Sequence, residues 1–309
     1  MIIKVETLTK TYGRVRAVNR LSLEIAEGSI YGFVGPNGAG KTTTMKILAT
    51  LLAPTSGQAW VAGTEVTKNP DQVRRHVGYM PDFFGVYDDL KVNEYLDFYA
   101  SSYGIPAADR RQIADDLLEL VDLTHKRDAY VDTLSRGMKQ RLCLARSLVH
   151  NPDVLLLDEP ASGLDPRARV EMRELLKELR QMGKTILISS HILPELAEMC
   201  TDIGIVENGE LVASGSVAEI MSRVQHQQIL EVRLLERAEQ AAAFMRALPG
   251  IGEAVADEQA VKASYQGDEE GLNLVLTSLI SAGFRVCSFA RASSNLEDVF
   301  LRVTKGVLQ

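Results

Sequence analysis

At 309 residues the chain has room for about two domains, each large enough to bury a core of its own. Its formal net charge of −7 and pI near 5.4, without any block of like charge, argue against a nucleic-acid binder, which would show a basic face or stripe. Three cysteines, Cys143, Cys200 and Cys287, stand far apart in apolar contexts. Disulfides and a cysteine metal site are therefore not expected, a reducing compartment is natural, and all three read as buried small hydrophobes.

The N-terminal Met1-Ile2-Ile3-Lys4-Val5-Glu6 lacks the basic region, apolar core and cleavage site of a signal peptide, and no run of 18 apolar residues follows anywhere. A chain that does not cross a membrane by itself is the expectation. Residues 2–8 and 17–31 alternate apolar and polar at the period of strands, with Gly13 and the pair Glu27-Gly28 as turns. They predict a small antiparallel sheet. Tyr12 falls on its first turn, either as a surface tyrosine or as a face on which a base stacks.

The apolar run Ile30-Tyr31-Gly32-Phe33-Val34 leads into Gly35-Pro36-Asn37-Gly38-Ala39-Gly40-Lys41-Thr42-Thr43, and a helical pattern follows from Met45 to Leu52. This reads as strand, phosphate loop, helix. The glycines let successive backbone N–H groups turn inward, the helix adds its positive end, Lys41 supplies a full charge to the β- and γ-phosphates, and Thr42 offers a hydroxyl to Mg²⁺.

Val77-Gly78-Tyr79-Met80-Pro81 predicts a buried strand that ends on Asp82. Beyond it the aromatics crowd. The helical spacing of Tyr95, Phe98 and Tyr99 predicts a helix core, whereas Phe83, Phe84 and Tyr87 lie in a loop and fit a partner surface. Residues 109–122 form an amphipathic helix with Ile113, Leu117, Leu118 and Val121 on one stripe. Leu134-Ser135-Arg136-Gly137-Met138 then opens another helix, with Ser135 as its cap and Gly137 exposing a backbone N–H, a second anion-binding terminus far along the chain from the first.

Val154-Leu155-Leu156-Leu157-Asp158-Glu159 predicts a strand buried on both faces whose carboxylates meet the crevice at its C-terminal end. Asp158 is suited to hold Mg²⁺ through water, and Glu159 to orient an attacking water or take its proton. Ser162-Gly163-Leu164-Asp165 precedes a helix over 167–181, and Lys184 to Ser190 forms a further buried strand ending at His191, within reach of a γ-phosphate. Asp202 to Gly215 reads as a hairpin turning at Asn208-Gly209, and Ser216 with Glu219 as a capping box. A first domain ends near residue 224. In 225–309 the predicted order is strand over 228–235, helix over 238–248, strand over 254–264, helix over 271–282 and strand over 285–289, a small two-layer α/β domain of ferredoxin-like type.

Together these motifs resemble the nucleotide-binding subunit of an ATP-binding cassette (ABC) transporter over residues 1–224. The resemblance implies an α/β P-loop fold with an antiparallel subdomain, a mostly parallel core sheet and a helical subdomain. It makes Tyr12 the adenine-stacking aromatic, 35–42 the Walker A loop, 134–138 the signature, 154–159 Walker B with its glutamate, Asp165 the D-loop acid and His191 the switch histidine. The implied ligands are ATP and Mg²⁺. The implied partners are a second copy, paired head to tail so that Walker A of one and the signature of the other enclose each ATP, and a separate membrane permease on whose cytoplasmic side the chain docks. The segment Ser294 to Leu301 resembles the ending of prokaryotic exporter cassettes and points to export. Two positions depart from the family's pattern: Asp82 replaces a glutamine, where a carboxylate adds charge near the γ-phosphate and can bind Mg²⁺ more directly, and the signature reads Ser-Arg-Gly-Met. A cassette ATPase acting on ribosomes or DNA, or a weakly hydrolysing regulatory module, is the competing expectation.

Overall fold

The computed structural model describes residues 1–83, 89–192, 196–220 and 228–292. Phe84, Tyr87, the segment 294–301 and residues 221–227 after the Ser216 capping box lie outside these residues. The chain divides into two compact units, 1–217 and 218–309.

The first unit begins with two long strands, β1 (Ile3–Tyr12) and β2 (Val15–Ile25), paired antiparallel around the Gly13 turn. With β4 (Ser56–Val61) and β5 (Thr64–Glu65) they form a sheet in the order β2-β1-β4-β5. A second sheet holds β3 (Ile30–Val34), β6 (Val77–Met80), β7 (Val154–Asp158), β8 (Thr185–Ser190), β9 (Asp202–Glu207) and β10 (Glu210–Ser216) in the order β10-β9-β3-β8-β7-β6. All its pairings are parallel except β9 with β10. Every residue of β3, β7 and β8 is buried, as continuous apolar runs covered on both faces require. The carboxyl ends of these three neighbours therefore meet on one side, where an α/β sheet presents its ligand crevice.

Helix α1 (Lys41–Leu48) leaves β3 through the glycine loop, and its Met45, Ile47 and Leu48 are fully buried in a core shared by both sheets. A short α2 (Pro70–His76) precedes β6. The helical subdomain comprises α3 (Val92–Ser102), α4 (Ala107–Leu120) and α5 (Arg136–Leu148), and α6 (Pro166–Gln181) follows β7. In α3 only Val92, Tyr95, Leu96 and Ala100 are buried. Phe98 does not join that core as its spacing predicted; it is 45% exposed, because the stripe that α3 buries is narrow. Tyr99 packs edge-on against Tyr95 at 5.0 Å.

The second unit runs β11 (Gln228–Leu234), α7 (Ala238–Met245), β12 (Ile251–Asp257), β13 (Ala260–Tyr265), α8 (Glu269–Ser281) and β14 (Val286–Ala292). The stretch read as one strand over 254–264 is a hairpin, and it turns the expected β-α-β-α-β into β-α-β-β-α-β. Its sheet, in the order β12-β13-β11-β14, is antiparallel throughout, which is the ferredoxin-like arrangement. Its core holds Leu230, Val232, Val261, Tyr265, Val275 and Leu279. Of the cysteines, Cys143 is buried and Cys200 half-buried, but Cys287 is exposed, contrary to the expectation. It sits where the β11–β14 register shifts, between the pairs Arg233–Ser288 and Leu234–Val286.

Candidate functional site

The loop after β3 is shaped by two left-handed residues, Gly38 at φ 85° and Gly40 at φ 99°. A side chain at Gly40 would collide with the Ala17 carbonyl on β2, so both the conformation and the close approach require glycine there. Gly40 is also the N-cap of α1. No side chain caps that helix, and no acidic residue stands in its first turn. Its unpaired N–H groups and positive end are left to an external anion.

They open into a cavity of about 600 Å³ lined by Val15, Arg16, Ala17, residues 37–43, Asp82, Glu159, Ser162, His191 and Asn208. Lys41 is 6% exposed, and its ammonium donates to the carbonyls of Gly35 at 2.6 Å and Pro36 at 3.3 Å. Glu159 Oε1 stands 3.8 Å from it. Burial pulls the Lys41 ammonium below the ordinary lysine value, against the pull of Glu159, Asp158 and Asp82, which hold it charged.

Glu159 follows β7 in a left-handed conformation, φ 52°, which is rare for a residue with a side chain. Its other oxygen, Oε2, lies 2.8 Å from His191 Nδ1 at the end of β8. Burial raises its carboxyl above the usual glutamate range, and the contact with His191 and the charge on Lys41 hold that rise back. A half-buried carboxylate with a raised pKa, beside an anion cradle and tied to a histidine, has the properties of a general base. Asp158, one residue earlier, is 1% exposed. Its Oδ1 accepts from the Ser189 hydroxyl at 2.5 Å, while its buried Oδ2 has no hydrogen-bond partner among the described residues. That orphaned oxygen is a hard donor of the kind that holds Mg²⁺; Thr42 lines the cavity, whereas Asp158 is not among its lining residues. No group of three His, Cys, Asp or Glu able to hold a metal occurs among the described residues.

Ser135, Gly137 and Asp165 do not line this cavity. Ser135 is the N-cap of α5, accepting from Met138 N at 3.3 Å, and Asp165 caps α6, accepting from Ala168 N at 2.9 Å. The two helix starts are adjacent: a methyl on Gly137 would touch Leu164 and Ala168 at 3.4 and 3.5 Å. Gln140 Nε2 donates to Ser162 O at 3.0 Å, and the Arg136 guanidinium covers Gly163. Tyr12 also stands apart from the cavity lining, 48% exposed, with Lys10 5.3 Å from its ring centre.

Residues 18–162 match the family model described as ABC transporter. The chain is 36% identical to the Nod factor export ATP-binding protein I of Ralstonia nicotianae, over 98% of this chain and 94% of that protein. The chain belongs to the ABC transporter family. The daunorubicin/doxorubicin resistance ATP-binding protein DrrA of Streptomyces peucetius is 34% identical over 98% of this chain and 92% of its own. The fold matches the dimeric, post-hydrolysis cassette MJ0796 bound to ADP and Pi with a TM-score of 0.64 and 26% identity, over 70% of this chain and 98% of that one. The chain is thus an ATP-binding subunit of an ABC transporter and an ATPase.

Five residues of this cassette's cavity escaped the sequence reading: Val15, Arg16, Ala17, Ser162 and Asn208. Val15 and Arg16 fell between the Gly13 turn and the strand read from residue 17, Ala17 stood at the start of that strand, Asn208 was part of a turn, and Ser162 part of a connecting loop. Each joins the wall through tertiary contacts. The hairpin tip is stitched to its surroundings by Gly209 N donating to Ala39 O at 3.1 Å and Asn19 N donating to Gly209 O at 2.8 Å. Asn208 was visible only as part of an Asn-Gly turn, which faces the loop once β9 pairs with β3.

Proposed function

We propose that the cavity takes the triphosphate of ATP and that its residues divide the work of hydrolysis. The backbone of 35–40, the free end of α1 and Lys41 hold the β- and γ-phosphates, with Thr43 beside them. Thr42 and Asp158 hold Mg²⁺, and Asp82, on the same wall, adds a carboxylate where the family has a glutamine. When bound, the ion neutralises phosphate charge. Glu159 orients a water and accepts its proton as the water oxygen bonds to the γ-phosphorus and the bond to the bridging oxygen breaks, releasing ADP and phosphate. His191 holds Glu159 in place and faces the γ-phosphate. The observation that carries this reading is the chain of contacts Lys41, Glu159, His191 at 3.8 and 2.8 Å on the rim of the phosphate loop.

Ser135, Gly137 and Asp165 belong to the other half of a composite site. On helix starts apart from the cavity of their own chain, they meet a triphosphate when a second copy faces the first, head to tail. Tyr12 stacks on the adenine. Residues 1–224 form the cassette, and 225–309 an accessory domain that binds a regulator or steadies the dimer. No helix among the described residues is long and apolar enough to cross a membrane. Movement of cargo then falls to a separate integral membrane permease, which the chain meets at the cytoplasmic face through a surface that includes Phe83, 89% exposed. The named relatives serve export or drug resistance, which favours export here. The test is ATP hydrolysis by the purified chain and by Glu159→Gln, together with co-purification from detergent-solubilised membranes. An active parent, an inactive variant that still binds ATP and a co-purified membrane protein are expected; an inactive parent contradicts the reading.

A further inference from the structure

We propose that Ser189 is a positioning residue for hydrolysis, its single hydroxyl setting both carboxylate-bearing residues at the end of β7. This rests on the roles assigned above to Asp158 and Glu159. Ser189 is fully buried, so no water substitutes for what its hydroxyl does. A hydroxyl has one proton and two lone pairs. The proton goes to Asp158 Oδ1 at 2.5 Å, since a carboxylate only accepts. With the proton committed, a lone pair faces Glu159 and accepts its backbone N–H at 3.0 Å.

The sheet register makes both contacts necessary. Asp158 and Ser189 are the last pair of the β7–β8 ladder, so the N–H of Glu159 is the first beyond it and has no strand partner. Glu159 stands there at φ 52°, a strained conformation that persists only where the surroundings fix it. That bend brings its carboxylate to His191 and Lys41. On the other side, occupying Oδ1 leaves Oδ2 as the oxygen of Asp158 without a partner among the described residues, the one free for a cation. One side chain thus selects the oxygen that meets the ion and anchors the backbone turn that aims the base.

The test uses the full chain with Ser189→Ala and Ser189→Cys, and Glu159→Gln as reference. Alanine shrinks the side chain and cysteine enlarges it while donating only weakly, so an effect common to both reports the hydrogen bonds rather than packing. Both variants are expected to bind a fluorescent ATP analogue in EDTA within about twofold of the parent, because the phosphate cradle is untouched. Their kcat falls at least about tenfold, and Mn²⁺ affinity in the presence of ATP, read by electron paramagnetic resonance, weakens by about tenfold. Parental kcat and Mn²⁺ affinity in either variant would overturn the proposal, as would a loss of metal-free ATP affinity in step with kcat, which marks a packing role. If Glu159→Gln is inactive while the Ser189 variants match the parent, only the role of Ser189 fails. If Glu159→Gln itself hydrolyses at the parental rate, the assignment of Glu159 fails instead.

Discussion

The two units of this chain are both α/β, yet one carries a reaction site and the other, among its described residues, does not. In residues 1–217 the strands β3, β7 and β8 are parallel and buried along their whole length, so their carboxyl ends deliver Lys41, Glu159 and His191 to one crevice. In residues 218–309 the sheet is antiparallel, and neighbouring strand ends point in opposite directions. Its β13 alternates, with Val261, Ala263 and Tyr265 inward and Lys262 outward, the pattern of a sheet covered on one face. The lesson is that strand direction decides where side chains of distant sequence can converge. An apolar core alone does not.

The largest effect that sharpens this contrast is expected from Glu159→Gln, which keeps the shape of the side chain and removes its basicity. Steady-state hydrolysis should fall by about 10²- to 10⁴-fold with ATP affinity retained. A parental rate would erase the distinction between the units. Next comes Leu279→Ala in the core of the second unit, where the side chain is fully buried. Hydrogen exchange should report a loss of about 2–5 kcal/mol of local stability there, with kcat within about twofold of the parent. If kcat fell in step with that stability, the second unit would have to be counted in the chemistry.

A smaller effect concerns pH. Because burial raises the Glu159 carboxyl, the base becomes protonated, and hydrolysis fails, at a higher pH than for an exposed glutamate as the solution is acidified. The acid limb of kcat/KM should sit above the ordinary glutamate range. In the residual activity of His191→Ala it should move higher still, since the contact that lowers the Glu159 pKa is gone. An acid limb at the ordinary value, unmoved in that variant, would count against Glu159 as the base. The smallest effect is expected from Asp82→Gln, which removes one carboxylate from the cavity wall. The Mg²⁺ and pH dependence of hydrolysis should shift by a few-fold, and indistinguishable titrations would leave Asp82 without a role.

Much of the first unit was legible because its signals are local. An apolar run, a glycine loop with Lys41 and a helix define their own geometry, as do the run into Asp158-Glu159 and the run into His191. The tail was less so. The turn between β12 and β13 is made by Glu258 at φ 52° beside Gln259, without the glycine, asparagine or proline that marks a hairpin, so two strands read as one. Phe98 misled because periodicity gives a helix face but not the width that a neighbour covers. Arg16 and Asn208 were hidden for a related reason: a cavity wall is assembled from strands that meet only in three dimensions. Ser189 looked like one more residue of a buried strand until the parallel register set it opposite Asp158.

The pairing of two copies around ATP is tested most directly by the mass of the Glu159→Gln protein in solution, measured by light scattering with ATP and Mg²⁺ and again without nucleotide. A doubling of the 34.0 kDa mass only with ATP is the expected result. A mass that stays at one chain under both conditions would contradict it.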